Sequence, residues 1–117
     1  MSMLFRVFIV ILVLAASYAL FEIYRFSSMG YAVRSTKAEF VVQGPDKPTA
    51  TMVEFLDYNC GFCRELHPAI KDFLDIRKDV RYIARPIAVL GEGSERLARI
   101  ALAAGLQDKF WEMHDAF

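Results

Sequence analysis

The two cysteines of this chain, Cys60 and Cys63, lie two residues apart and directly follow the apolar run Met52–Leu56. A strand that leads two thiols into the first turn of a helix is suited to reversible dithiol–disulfide chemistry. The same spacing also binds metals, and it attaches haem when a histidine follows the second cysteine, where this chain has Arg64. A closed zinc site needs four ligands, and His67 is the one histidine near the pair. The spacing therefore favours a redox pair, with a metal site or a plain structural pair as alternatives.

The first 26 residues form an apolar segment. Val7 to Phe21 is an uncharged run that is shorter than the roughly 20 residues needed to cross a bilayer core. Apolar residues from Met3 and aromatic residues up to Phe26 lengthen it. The pattern predicts either a membrane anchor over residues 3–26 or a signal peptide cleaved after Ala19, and the aromatic bulk favours the anchor. Both interpretations predict export, which would place the thiols on the periplasmic or extracytoplasmic side of the membrane.

The length and charge of the chain limit its possible functions further. A chain of 117 residues has room for one small domain. Beyond residue 26 it holds 12 of its 14 lysines and arginines and 13 of its 14 aspartates and glutamates. It therefore lacks the basic surface that nucleic-acid phosphates require, and no nucleic-acid partner is expected. Two cysteines in one motif do not form a disulfide-stapled framework, which leaves them as working thiols.

The remaining sequence predicts a tether over residues 27–38 and an α/β domain over residues 39–117. Strand-forming runs alternate with amphipathic helical patterns in this domain. The predicted strands are Glu39–Val42, Thr49–Asp57 and Val80–Arg85. Strand, helix and strand at this spacing predict parallel pairing through a right-handed crossover.

Three helices are predicted in the domain. The first begins at Cys60 with Asn59 as its N-cap and contains Pro68. The second is capped by Ser94 and is followed by Gly105 as the residue that ends it. The third starts at Asp108, and His114 lies on its apolar side, where a packed residue is expected.

The position of the two thiols predicts different roles for them. A thiolate is the reacting form of cysteine, and the N–H groups at a helix N-terminus favour negative charge. Cys60, at the predicted first helical position, should therefore be the exposed nucleophile. Cys63 lies one turn further along the helix, within bonding distance but more covered, which suits a resolving thiol.

Glu54 is unusual because it is a carboxyl in an apolar strand, six residues before Cys60. A half-buried carboxyl there could pass protons to or from Cys63, and the alternative is a solvent-facing or ion-paired side chain. His67 follows Cys63 by one helical turn. It could complete a three-ligand metal site with the two cysteines, but a structural role is favoured.

The residues from Val53 to Arg64, with His67-Pro68 after them, resemble the active-site region of DsbA-like thioredoxin-fold proteins. The stretches Arg85–Ile87 and Lys109–Asp115 resemble the third strand and the inserted helical subdomain of that family. The resemblance covers Glu39–Phe117 and the N-terminal half of the family's domain. The family's second half, which includes a cis-proline loop facing the thiols, falls outside it.

The resemblance implies a thioredoxin-like α/β fold and a thiol–disulfide oxidoreductase that needs no organic cofactor. Cys60 would be the nucleophile, Cys63 the resolving cysteine, and Glu54 the buried acid. The implied partners are cysteine-containing client proteins and a membrane redox protein that is DsbB-like or DsbD-like. The intervening pair Gly61-Phe62 is neither that of thioredoxin nor that of classical DsbA, so the direction of electron flow stays open.

Two other functions remain as alternatives. One is a metal-handling module that binds zinc or copper through Cys60, Cys63 and His67. The other is a truncated, non-catalytic fragment in which the cysteine motif has no function.

Overall fold

The computed structural model describes residues 2–34 and 37–117. These divide into an N-terminal unit up to residue 35 and a C-terminal unit from residue 36, and each is described by itself.

The N-terminal unit is a single helix, α1, over Met3–Arg34. Its stretch Met3–Ser28 has a mean hydropathy of 2.4 over its most apolar window and none of that window is buried. At about 1.5 Å per residue, this stretch is longer than the roughly 30 Å hydrocarbon core of a bilayer. By length and composition it is a candidate membrane span, and a signal sequence would meet the same test.

The predicted tether is wrong over residues 27–34, because α1 continues through them. This stretch contains no proline, and adding residues to an existing helix costs far less than starting one. The Ser28 hydroxyl also donates to the Arg25 carbonyl at 2.9 Å within the helix. Residues 35 and 36 of the tether lie outside the described residues, and the chain at 37 and 38 is irregular, as predicted.

The C-terminal unit is built on a three-stranded sheet of order β1-β3-β2. The strands are β1 at Val42–Gln43, β2 at Ala50–Leu56 and β3 at Val80–Pro86. The predicted parallel pairing of β2 with β3 is confirmed, with Ala50 opposite Val80 and Leu56 opposite Pro86. The short β1 pairs with β3 in the antiparallel direction, and β2 forms an edge of the sheet.

The predicted strand Glu39–Val42 is wrong for its first three residues, which form a 3-10 turn. The turn is closed by a hydrogen bond from the Val41 N–H to the Ala38 carbonyl at 3.3 Å. It buries Val41 in the core and brings the Phe40 ring to 5.8 Å from that of Phe110. The apolar residues that suggested a strand thus pack into the core from a turn.

Three helices follow in the C-terminal unit: α2 at Gly61–Ile76, α3 at Glu92–Gly105 and α4 at Phe110–Ala116. Ser94 does not cap α3 as predicted, because it lies inside the helix and is fully buried, and Gly91 occupies the N-cap with φ 99°. Gly105 is the last helical residue rather than the one after it. The third helix starts at Phe110 instead of Asp108, whose left-handed φ of 57° separates α3 from α4.

The core lies where β3 meets α4. Tyr82, Ile83 and Ala84 are consecutive residues of β3 and all are buried, which shows that this central strand is covered on both faces. Phe110 is 1% exposed, and the neighbouring Trp111 ring lies 5.6 Å from that of Tyr82. This packing fixes α4 against the sheet beside the start of α2.

Candidate active site

The cysteine pair lies where the chain leaves β2 and enters α2. Cys60 occupies the N-cap position with an extended backbone, and α2 begins at Gly61, one residue later than predicted. Asn59 is not the cap, because its N–H donates to the Asp57 carboxylate at 2.9 Å in a tight turn. The Cys60 N–H donates to the Asp57 carbonyl at 2.9 Å. The turn thus directs the Cys60 side chain toward the free N–H groups of the first helical turn.

The surroundings of Cys60 stabilise its thiolate. The Cys63 N–H, the Cys63 thiol and the Phe62 N–H all donate to the Cys60 sulfur and lower its pKa, against partial burial and the charge of Asp57. Cys60 is half-buried, whereas Gly61 and Phe62 beside it are exposed. The prediction that Cys60 is the more acidic thiol is confirmed in direction.

Cys63 has the opposite electrostatic environment. The Asp57 N–H donates to the Cys63 sulfur, which by itself would lower the pKa of this thiol. Burial, the Cys60 thiol and the charge of Glu54 together outweigh this bond and raise the pKa of Cys63. The two sulfurs are in hydrogen-bond contact with each other. Of the two thiols, Cys60 is therefore the one that loses its proton more readily.

Glu54 is half-buried on β2 and accepts a hydrogen bond from the Tyr82 hydroxyl. It lines a cavity of about 230 Å³ together with Cys63, His67 and His114. The structure thus brings the predicted acid to the Cys63 side of the pair. Its catalytic role stays a prediction.

Asp57 is a site residue whose importance the sequence did not reveal. It is 2% exposed, and its carboxylate accepts hydrogen bonds from Asn59 N–H at 2.9 Å, Val89 N–H at 2.9 Å and Leu90 N–H at 3.1 Å. Burial alone would raise the pKa of Asp57, but the Ser94 hydroxyl and these three N–H groups lower it. One carboxylate therefore ties the cysteine turn to the loop after β3.

A second buried group, His114 on α4, lies behind the pair. It is 4% exposed, and its Nδ1 is 3.0 Å from the Tyr58 hydroxyl. Burial and the neighbouring His67 lower the pKa of His114 to about 4. The prediction of a packed histidine is confirmed, whereas nothing in the sequence pointed to its bond with Tyr58, which is 56 residues away.

Acidification is expected to destabilise the fold through His114. Its folded-state pKa of about 4 lies below the ordinary value of 6.5, so the unfolded chain binds the proton first as the pH falls. The free energy of unfolding should therefore drop by about 3 kcal/mol between about pH 7 and pH 4. Urea unfolding of the full chain in detergent at a series of pH values measures this slope. His114→Gln should remove most of it. His67→Gln should keep the larger part, because burial lowers the pKa of His114 more than the neighbouring His67 does. An unchanged slope in His114→Gln would contradict the assignment.

The metal alternative finds no support among residues 2–34 and 37–117, where no group of three His, Cys, Asp or Glu side chains is placed to hold an ion. His67 pairs instead with Asp115 on α4, with its Nε2 3.1 Å from Oδ1. The other oxygen of Asp115 accepts a bond from Lys71 at 2.6 Å. His67 thus links α2 to α4, consistent with the favoured structural role.

Comparison with known proteins begins with sequence relatives. No protein-family model matches the chain. It is 37% identical over 76 residues to the Na(+)/H(+) antiporter NhaA 1 of Salinispora arenicola, a match that covers 63% of this chain and 12% of that protein. It is also 37% identical over 82 residues to disulfide bond formation protein D of Bacillus subtilis, covering 63% of this chain and 36% of that protein. The chain thus spans little more than a third of these curated relatives at most.

Solved structures define the class of the fold, and those that match are thioredoxin-like proteins. A periplasmic thioredoxin-like protein from Salmonella enterica serovar Typhimurium matches with a TM-score of 0.66 and 32% identity over 74% of this chain and 50% of that chain. A thioredoxin-like oxidoreductase from Silicibacter pomeroyi matches with a TM-score of 0.61 and 35% identity over 70% and 51% of the two chains. The thiol–disulfide exchange protein alpha-DsbA2 from Wolbachia pipientis matches with a TM-score of 0.66 and 28% identity over 84% and 53%.

These matches confirm the predicted class: the chain has a DsbA-like thioredoxin fold, preceded by an apolar helix. It spans about half the length of the solved structures.

Proposed function

We propose that the chain supplies the redox-active cysteines of a thiol–disulfide oxidoreductase that acts on cysteines of extracytoplasmic proteins. The observation that carries this proposal is the asymmetry of the pair. Cys60 accepts three hydrogen bonds that lower its pKa, one of them from the thiol of Cys63, whose own pKa is raised. Such asymmetry gives one thiol the reactivity of a thiolate at neutral pH and keeps the other protonated until it is needed.

The proposed exchange runs through a mixed disulfide. A client thiolate attacks the Cys60 sulfur of the Cys60–Cys63 disulfide, the S–S bond breaks, and Cys63 leaves as a thiolate that takes up a proton. A second client thiolate then attacks the client sulfur of the mixed disulfide and releases Cys60 as a thiolate. Two electrons have passed from the client to the pair, and the client carries a new disulfide. Run backwards, the same steps reduce a client disulfide.

Glu54 fits the role of proton carrier for Cys63 in this scheme. It lines the same cavity as Cys63, and its charge raises the pKa of that thiol, so the two groups interact. A membrane redox protein, DsbB-like or DsbD-like, would return the pair to its working state after each cycle.

Export and anchoring are part of the proposal. The apolar stretch Met3–Ser28 of α1 supports insertion into a membrane, and one of the similar structures is of a periplasmic protein. The C-terminal unit with its cysteine pair would then work on the outer side, where disulfides form and persist.

Replacing Cys63 by serine should trap the mixed disulfide, because the substituted chain can attack a client at Cys60 but has no second thiol to release it. The reduced Cys63→Ser chain is mixed with a disulfide-containing protein, quenched with acid, and examined on non-reducing gels for an adduct that reductant removes. The matched Cys60→Ser chain should give no adduct, although it also keeps one cysteine. A folded Cys63→Ser chain that gives no more adduct than Cys60→Ser would support the non-catalytic alternative.

A further inference from the structure

We infer that His67 is the group through which Cys63 exchanges its proton with solvent, by way of the cavity that both residues line. This inference rests on the proposed function and adds a catalytic residue to it. Glu54 faces the same cavity, and His67 completes the route from Cys63 to the outside.

The first observation is the shared cavity. It has a volume of about 230 Å³ and lies between β2, α2 and α4, which is room for several water molecules at about 30 Å³ each. Its walls include the three groups in question, Glu54, Cys63 and His67. Cys63 and His67 are four residues apart on α2, so their side chains lie on the same face of the helix, one turn apart.

The second observation is a buried polar atom at the same cavity. His114 lines the cavity, and its Nδ1 contacts the Tyr58 hydroxyl, while its Nε2 is buried and has no hydrogen-bond partner among the described residues. In either tautomer, Nε2 is a polar atom left without a partner beside the cavity. The cavity wall is therefore polar, with Glu54, His67 and His114 all contributing to it.

The third observation is that His67 reaches both the cavity and the surface. Its side chain is 23% exposed, and its Nε2 lies 3.1 Å from Asp115 Oδ1. The other candidates in the cavity wall are less suitable, since Arg64 cannot release a proton and both oxygens of Asp115 are already bonded, to His67 and Lys71. An imidazole can take up and release a proton near neutral pH.

Charged and titratable groups on every neighbouring element face His67. Asp115 on α4 lies 3.1 Å from its Nε2, and Lys71, one turn further along α2, binds the other oxygen of that carboxylate. His114 on α4 has its ring centroid 4.9 Å away and stays neutral above about pH 4. Glu54 on β2 and Arg64 on α2 line the same cavity.

The step is a proton transfer coupled to formation of a disulfide. With a client attached to Cys60, the Cys63 thiol passes its proton to Glu54, and cavity water carries it on to His67. The Cys63 thiolate then attacks the Cys60 sulfur, forms the Cys60–Cys63 bond and expels the client thiolate, which takes two electrons from the pair. His67 finally releases the proton to solvent.

The test measures this step alone. The reduced chain is converted to a mixed disulfide between Cys60 and thionitrobenzoate, and the release of the coloured thiolate is followed by stopped flow between about pH 5 and pH 9. His67→Gln keeps a side-chain amide that can donate to Asp115 but cannot carry the proton. We expect its release rate at neutral pH to fall at least about tenfold, and the inflection due to histidine to disappear from the pH profile.

Two controls separate proton transfer from structure. Lys71→Gln removes the other partner of Asp115 from the same helix and should keep an inflection. In His67→Ala, added imidazole should restore the rate in proportion to its concentration, which a purely structural role would not allow. Release by folded His67→Gln at the wild-type rate, with the wild-type pH profile, would overturn the inference. Failure of Cys60 to form the mixed disulfide in any variant would instead count against the proposed function, and therefore against this step as well.

Discussion

Replacing Cys60 by serine is expected to reduce disulfide exchange by the chain to the rate of the uncatalysed reaction. A serine hydroxyl stays protonated at neutral pH, so the three hydrogen bonds that lower the pKa of the Cys60 sulfur would have no thiolate to stabilise. The remaining thiol, Cys63, has a raised pKa and lies further inside. The rate is measured as reduction of a fluorescent disulfide-linked peptide by the chain in detergent micelles.

Alkylation with iodoacetamide gives an independent measure on the same chains. At a pH below the ordinary thiol pKa, Cys63→Ser should react rapidly through Cys60, and Cys60→Ser should react slowly. Because both variants keep one cysteine, the comparison isolates the position of the sulfur. Equal alkylation rates in two folded variants would show that the asymmetry of the pair does not govern its reactivity.

Replacing Asp57 by alanine should cost about 4 kcal/mol in the free energy of unfolding, since several buried donors lose a charged acceptor at once. These donors are the N–H groups of Asn59, Val89 and Leu90. Urea unfolding at pH 7 followed by circular dichroism checks the loss.

Asp57→Asn is the matched control, because it removes the charge and keeps one oxygen, which can still accept from the Val89 and Leu90 N–H groups, whereas its NH2 group cannot accept from the Asn59 N–H. It should cost less than half as much as alanine. It should also make Cys60 more acidic, since the Asp57 charge raises the pKa of that thiol. If Asp57→Ala unfolds at the same urea concentration as the wild type, the carboxylate does not connect the cysteine turn to the loop after β3 in the way described.

The sequence was sufficient for the parts of the fold that depend on local patterns. Alternating strand and helix signals gave the parallel pair of β2 and β3, with α2 between them. The position of Cys60 and Cys63 at a helix start was enough to predict which thiol has the lowered pKa. Both follow from chemistry within a few residues, which is why no partner distant in the chain was needed to predict them.

The errors arose where distant contacts override local preference. Ser94 resembles a helix cap by position, but it is buried inside α3, beside the Asp57 carboxylate. Glu39 to Val41 resembles a strand by composition, but these residues form a turn in which Phe40 packs against Phe110. The roles of Asp57 and His114 depend on partners more than 30 residues away, and no periodicity records such contacts.

β2 is an edge strand of the sheet, and this position affects what the sheet can bind. Among the described residues, Ala50–Leu56 pairs with β3 alone, so one row of its backbone amides and carbonyls has no strand beside it. An extended peptide of matching length can bind there as a fourth strand. Because the peptide binds the folded chain, the melting temperature of the chain should rise as the peptide concentration increases. The same unpaired backbone groups make dilute conditions preferable for refolding, since at high concentration the β2 edges of two copies can pair with each other.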